Sequence, residues 1–349
     1  SQELREITAR WSTYPSLRSE RAQTIFSRLQ PDLLARVQKL DRPAEALTHF
    51  DGFLKKLPAG VQVFSLFEAN PPLIDLFLDI VSVAPHLAQY LSRNASVLDA
   101  VIGGDFFAPW PEQEVLEAEL TRQLARIDDY EGQLDASRRW AKEWHFRIGV
   151  HQLRGLISAD EAGGQYAALA RASVAALYPF VAAEFARKHG EAPGRGAMVL
   201  GMGSLGAGRL TAASDLDMIV IYDADGVDAS EGRRPLQSRT YYARFTQALI
   251  TAITAQTAEG RLYEVDMRLR PSGKQGPVAT SLEAFKTYQD TQAWVWEHLA
   301  MTRATPVAGD AGLMADVEAF RRGLLAAPKD EAKIRGETQD MRRRLAEAK

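Results

Sequence analysis

Asp215 and Asp217 open the apolar run "MIVIYD", downstream of a Gly203-Ser204 turn, in the stretch "GSLGAGRLTAASDLDMIVIYD". Side chains alternate faces along a strand, so the two carboxylates point the same way. Like charges held that close repel, and each raises the other's pKa. A later stretch, "YEVDMRLR", alternates too: Glu264, Asp266, Arg268 and Arg270 on one face, Tyr263, Val265, Met267 and Leu269 on the other. The apolar face belongs on a core. If Asp266 lies beside the first pair, three carboxylates converge, and such a cluster is stable only when cations neutralise it. Hard oxygen ligands with room for water and phosphate oxygens suit Mg²⁺.

Two such ions can clamp the attacking and leaving oxygens of an in-line phosphoryl displacement. The Gly203-Ser204 turn offers backbone N–H groups and a hydroxyl to the outer phosphates. Arg268 and Arg270 offer bidentate contacts to phosphate or to an acidic partner. A Gly-Ser turn, an Asp-x-Asp opening a strand, and a later strand Asp together make chemical sense as a nucleotidyl-transfer site. Alone, an Asp-x-Asp is more often a solvated strand end or a helix cap. For Arg268 and Arg270 a second reading stays open, as surface ion-pair partners of Glu264 and Asp266. Trp294, Trp296 and Leu299 in "AWVWEHLAMTRA" read as helix packing rather than a base-stacking platform, and His298 as a hydrogen-bonded structural histidine. His145 and His151 lack ligand spacing such as H-E-x-x-H, so neither is assigned a metal.

A competing motif shares this stretch. "GMGSLG" is a G-x-G-x-x-G after a strand, and Asp223 ends the next strand, which outlines a dinucleotide fingerprint. The intervening "AGRLTAAS" is too short and too poorly patterned for the crossover helix of a parallel βαβ unit. The Asp215/Asp217 pair would also face a pyrophosphate with nothing to mediate. "GSLGAGRL" also brushes against a P-loop, a reading set aside because Arg209-Leu210 stands where Lys-Ser/Thr would do the work.

The elements that must position these residues follow from periodicity. "RAQTIFSRLQPDLLARVQKL", "ALTHFDGFLKKL" and "PPLIDLFLDIVSVAPHLAQYLSRNASVLDAVI" read as helices, punctuated by Pro31, Pro58, Pro71 and Pro85. "GGDFFAPWPEQE" reads as a connector, followed by helices over about 114–157 and 160–189. "AMVLGMG" and "DMIVIYD" read as buried strands, "LQSRTYYARFTQALITAITAQTA" as a helix and "GRLYEVDMRLRP" as a strand. "TSLEAFKTYQ" opens with a capping box from Thr280 to Glu283, and helices resume to the end. We therefore expect an α+β fold, with a small mixed-sheet catalytic module at 194–310. It is flanked by a helical region at 1–112, long helices at 113–193 and the start of a C-terminal helical region at 311–349.

The chain has 349 residues, enough for two or three packed domains, with 46% hydrophobic and 25% charged residues. A net charge of -3 gives no global footprint for nucleic acid. With no cysteine there is no disulfide framework, thiolate metal site or thiol nucleophile. No apolar run approaches the roughly 18 residues of a membrane span, and no signal peptide opens the chain. Both ends look cut: the chain starts at Ser1 and stops inside the charged helical stretch "KIRGETQDMRRRLAEAK". We expect a piece of a longer protein, and a cytoplasmic one.

Three stretches carry a resemblance. "VLGMGSLGAGRLTAASDLDMIVIYD", "LYEVDMRLRPSGKQGPVATSLEAFKTYQ" and "AWVWEHLAMTRATPVAG" are similar to the glutamine-synthetase adenylyltransferase family, bifunctional bacterial enzymes with two nucleotidyltransferase-fold halves. The resemblance extends through "EANPPLIDLFLDIVSVAPHLAQYLSRNASVLDAVI" and "RRWAKEWHFRIGVHQLRGLI", so it covers most of the chain. In that family the N-terminal half removes AMP from a glutamine synthetase tyrosine by phosphorolysis, and the C-terminal half attaches AMP from ATP. "LYEVDMRLRPSG" with "AWVWEHLAMTRA" resembles the C-terminal, adenylylating half. The other half more typically shows Ser-Asp-Ile-Asp and a "WERYA"-like helix.

The resemblance implies that Asp215 and Asp217 are the metal pair, Asp266 the later strand carboxylate, and Gly203-Ser204 the phosphate turn. Many members carry lysine where this chain has Ser204, and serine restores the general Gly-Ser pattern of nucleotidyltransferases. Also implied are two Mg²⁺ ions, ATP as substrate, glutamine synthetase as protein substrate, and glutamine and a PII signal protein as effectors. The family continues into a further helical domain beyond Lys349. An alternative within the family is the phosphorolytic half, which shares the metal site. An alternative of another class is an inactive module docking glutamine synthetase or PII, against which the intact acidic cluster argues.

Overall fold

The structure, a computed structural model, describes residues 2–94, 97, 101, 105–328 and 331–347. It divides into two compact units: residues 1–110 with 143–159, and residues 111–142 with 160–349.

The first unit is helical. The helices Glu20–Val37, Pro43–Lys56, Val61–Ala69, Pro71–Val83 and Pro85–Arg93 pack around Trp11, Phe26, Phe50, Phe53, Phe64, Phe67 and Phe77. Aromatic edges meet faces there, as in Trp11 against Phe50 at 5.5 Å. Asp51 accepts from Trp11 Nε1 and Tyr14 Oη, so the polar atoms at the rim of this core are paired. Pro71 and Pro85 open helices at their first positions, as read from the sequence. Pro31 does not punctuate: it lies inside Glu20–Val37. Ile25, Phe26, Leu29, Leu33 and Val37 are buried on either side of it, and that shared core outweighs the roughly 3 kcal/mol a mid-helix proline costs. The connector glycines Gly103 and Gly104, and most of "ASVLDAVI", lie outside the described residues.

In the second unit the stretch read as one helix from about 114 is two, Gln113–Leu124 and Tyr130–Leu153, the latter running on into the first unit. Asp129 Oδ1 accepts the Gly132 N–H at 2.6 Å, starting the second helix afresh. Arg138, fully buried, donates to the carbonyls of Leu134, Ala252, Ala255 and Gly260. The helix Ala159–His189 is long and apolar enough to cross a membrane by length and composition, which corrects the expectation that no such run exists. Here it is a core helix: Leu169, Ala170, Val174 and Leu177 are buried, and Tyr178 Oη donates to Ala197 O.

The sheet has five strands: β1 Gly196–Gly201, β2 Leu216–Asp223, β3 Val265–Asp266, β4 Ala279–Ser281 and β5 Thr305–Gly309. Its order is β3-β2-β1-β5, with β4 also pairing β2. β1 runs antiparallel to β2 and β5, while β3 and β4 run parallel to β2. The antiparallel β1–β2 pair removes the dinucleotide-binding alternative, which needs those strands parallel. Met198, Leu200, Ile219 and Ile221 on one face pack with Phe285, Met301, Leu313 and Val317. On the other face, Tyr222 stacks on Tyr242 of the helix Ser238–Thr254, ring centroids 4.2 Å apart.

Two local readings change. The helix Leu282–Thr291 is capped by Ser281, whose Oγ accepts from the Ala284 N–H, not by Thr280, which β4 absorbs. β5 was hidden in "TPVAG", too short and too proline-marked to alternate visibly.

Candidate active site

β1 ends at Gly201, and the Met202 N–H donates to Asp217 O at 2.8 Å, tying the exit of β1 to the start of β2. The chain turns at Gly203, φ +53°, into a one-turn helix, Gly203–Ala207, closed by Gly208 in the left-handed region. A Cβ at Gly203 would overlap Asp217 Oδ2, so the bare backbone is what lets the turn lie on that carboxylate. Ser204 is exposed on the turn.

A five-residue helix has little stability of its own. Arg171, from the helix Ala159–His189, holds this one by its last carbonyls. Its Nε donates to Leu205 O at 3.1 Å, and Nη2 to Leu205 O and Gly206 O at 2.7 and 2.9 Å. Thr305 Oγ1 donates to Gly206 O from the start of β5. Neither residue was singled out in the sequence. The signal for Arg171 was there, a lone cation within "ALARASVAAL"; Thr305 had none.

β3 places Asp266 directly abreast of Asp217, through the parallel register Leu216↔Val265 and Asp217↔Asp266 and the Leu216 N–H donated to Glu264 O. Asp215 precedes β2 and is exposed, while Asp217 is half-buried. Burial first, and then the charges of Asp266 and Asp215, push the Asp217 carboxyl above its ordinary value, against the opposing pull of Arg268 and Arg303. The structure thus brings Asp215, Asp217 and Asp266 into one electrostatic cluster.

The expected long strand does not form. Asp266 Oδ1 accepts the Arg268 N–H at 2.8 Å, an Asx-type turn that curls the chain out of the sheet after two residues. Glu264, Asp266, Arg268 and Arg270 therefore do not share a strand face. Arg268 lies on Asp266, Nε to Oδ2 at 2.6 Å, with most of its side chain exposed, and Asp215 and Asp217 also act on its charge. The ion-pair reading of Arg268 is realised toward Asp266, whereas Glu264 pairs with Arg261. Arg270 points into its own loop and donates to Met267 O and Gly276 O.

Among the described residues, no three acidic or imidazole side chains stand in a ready-made ligating arrangement. The donor set still fits a hard divalent cation. It is all carboxylate, and a cation there would offset the burial and like charge that push the Asp217 carboxyl up.

Elsewhere, Trp294, Trp296 and Leu299 are 47%, 38% and 53% exposed, so the helix-packing reading of these three is corrected. The helix Val295–Met301 turns its smaller residues Ala300 and Met301 to the core instead. His298 Nε2 bonds Gln289 O at 2.8 Å, as a structural histidine.

The family model for glutamate-ammonia ligase adenylyltransferase matches residues 74–320. The bifunctional glutamine synthetase adenylyltransferase/adenylyl-removing enzyme of Brucella suis biovar 1 is 43% identical over 343 residues, 98% of this chain and 35% of that protein. The enzymes of the same name from Mesorhizobium japonicum and Rhodopseudomonas palustris are 43% and 39% identical over 96% and 97% of the chain, and over 34% of each relative. The chain thus spans about a third of the length of the curated relatives it matches.

Proposed function

The chain belongs to the glutamate-ammonia ligase adenylyltransferase family, and from that premise we propose that it transfers AMP from MgATP to a tyrosine hydroxyl of glutamine synthetase, releasing pyrophosphate. The observation that carries this reading is the parallel pairing of Asp217 with Asp266, under the Gly203 turn and with Asp215 just ahead of the strand.

Asp215 and Asp217 are the residues that would hold Mg²⁺, with Asp266 alongside for a second ion. Bound there, the divalent cations neutralise phosphate charge and lower the pKa of the incoming phenol. The chain's own part is to bind and orient. Gly203 keeps the approach to Asp217 clear, Arg171 and Thr305 hold the turn, and Arg268 adds positive charge over the cluster. The phenolic proton passes to a carboxylate oxygen, and the phenolate oxygen attacks the α-phosphorus. The bond to the bridging oxygen then breaks, and pyrophosphate leaves with its electron pair.

The direction of transfer rests on the resemblance of "LYEVDMRLRPSG" and "AWVWEHLAMTRA" to the adenylylating half. The catalytic module at 194–310, a cytoplasmic setting, and control by glutamine and a PII protein belong to the same proposal.

The test is incubation with α-³²P-ATP, Mg²⁺ and unmodified glutamine synthetase, beside Asp215→Asn and Asp217→Asn variants. Label on the synthetase that both variants lose is the expected result. Near-wild-type labelling by both variants overturns the site. Phosphate-dependent release of AMP from adenylylated synthetase, without labelling, overturns the direction.

A further inference from the structure

Around the Gly203–Ala207 turn the arginines are mostly committed. Arg171 is spent on helix carbonyls, Arg268 on Asp266, Arg270 on its own loop, Arg209 on Asp160 and Arg261 on Glu264. Arg303 differs. Its side chain is exposed and, among the described residues, makes no hydrogen bond or ion pair. Its backbone is nevertheless fixed at the turn. β5 pairs antiparallel with β1 through Gly201↔Thr305, so residue 303 stands just beyond the last residue of β1, level with the turn into Gly203. The Arg303 N–H donates to Ala300 O at 3.1 Å, and the buried Ala304 follows. A Cβ at Gly206 would overlap Arg303 O, so this carbonyl lies directly against the short helix. The positive charge is also felt at Asp217.

Here, then, is a guanidinium with an anchored root and an uncommitted head, beside a carboxylate cluster with which it is not paired. Once cations neutralise those carboxylates, the strongest anions to enter are the phosphate oxygens of the substrate. A planar fork of donors suits two oxygens of one phosphate, or one from each of two.

We propose that Arg303 is a phosphate-binding residue for the pyrophosphate portion of the nucleotide, holding it in ATP and stabilising its charge as the bond from the α-phosphorus breaks. This rests on the nucleotidyl-transfer reading above. It gives Arg303 a share in binding ATP and pyrophosphate but none in binding AMP, which lacks those phosphates.

The experiment measures binding of ATP, pyrophosphate and AMP by calorimetry with Mg²⁺ present, for the wild type, Arg303→Ala and Arg303→Lys, with melting temperatures as a folding control. Arg303→Ala is expected to weaken ATP and pyrophosphate roughly ten- to a hundredfold, the range for losing charge-assisted hydrogen bonds. AMP should stay within about twofold, Arg303→Lys should fall between, and melting should be unchanged. Equal weakening of AMP, or pyrophosphate binding within about twofold of wild type, overturns the assignment. A wild type that binds neither ATP nor pyrophosphate overturns the nucleotidyl-transfer reading, and this assignment with it. A wild type that binds both while failing to label glutamine synthetase leaves Arg303 supported and removes only the acceptor.

Discussion

Asp217 is held against its own interest. Its carboxyl sits above the ordinary value of 3.8 because burial and two neighbouring carboxylates disfavour its charge. For an acid whose folded pKa exceeds its unfolded one, the native state binds the extra proton between the two values. Folding stability therefore falls as pH rises through that window and stays lower above it. Without a cation, Asp217→Asn should melt higher than wild type at pH 7 with chelator present, because the amide carries no charge for burial and the neighbouring carboxylates to disfavour. The gap should close below about pH 3.8, where both states are protonated. Adding Mg²⁺ should raise the melting point of the wild type and leave the variant unmoved. A wild type that melts higher than the variant in chelator at pH 7 would mean that the ionised carboxylate is a net stabiliser, and the electrostatic account would fail. Stability given up at a charged cluster is a common companion of function.

One element is built to be held rather than to stand. The Gly203–Ala207 helix has its last carbonyls gripped by the Arg171 fork and by Thr305 Oγ1. Arg171→Ala should cost about 2 kcal/mol of stability through carbonyls left without donors. It should also lower kcat/KM for AMP transfer by roughly tenfold or more, because the turn over Asp217 loosens. Arg171→Lys should recover only part of this, since one ammonium cannot replace three fork contacts. Unchanged kinetics in a destabilised Arg171→Ala would reduce the residue to a packing role. This dependence on distant elements also separates what the sequence showed from what it hid. β1 and β2 were legible because each centres on an unbroken apolar stretch, "AMVL" and "MIVIY", and Asp215, Asp217 and Asp266 because carboxylates at strand ends are costly wherever they occur. β3 was overread: "YEVDMRLR" alternates perfectly, yet the Asp266 carboxylate bends the backbone after two residues, a side-chain effect that periodicity does not register. β4 and β5 escaped notice because short strands are defined by their neighbours, and the proposed role of Arg303 depends on contacts no sequence window shows, the Gly201↔Thr305 pairing and the approach of its carbonyl to Gly206.

At the scale of the whole chain, two units with separate apolar cores share one continuous helix, Tyr130–Leu153, divided between them after Lys142. The proposed ligands bind only the second unit, around 196–223, 262–270 and 303–309. A ligand stabilises what it binds by RT ln(1 + [L]/Kd), about 2.7 kcal/mol at a hundredfold excess over Kd. If the units open independently, that gain stays in the second and slows amide exchange there alone. Hydrogen exchange with and without saturating Mg²⁺ and a non-hydrolysable ATP analogue should therefore show new protection in the sheet, the Gly203 turn and residues 130–142. The aromatic core around Trp11, Phe50 and Phe77, and residues 143–153, should exchange as before. The expected break within a single helix makes the outcome sharp, because both halves share one backbone and differ only in the core they are packed on. Protection spreading evenly through residues 143–153 and into the Trp11 core would mean that the two units open as one cooperative body. The first unit would then contribute stability directly to the site, and substitutions at Phe50 or Phe77 should weaken nucleotide binding despite making no contact with it.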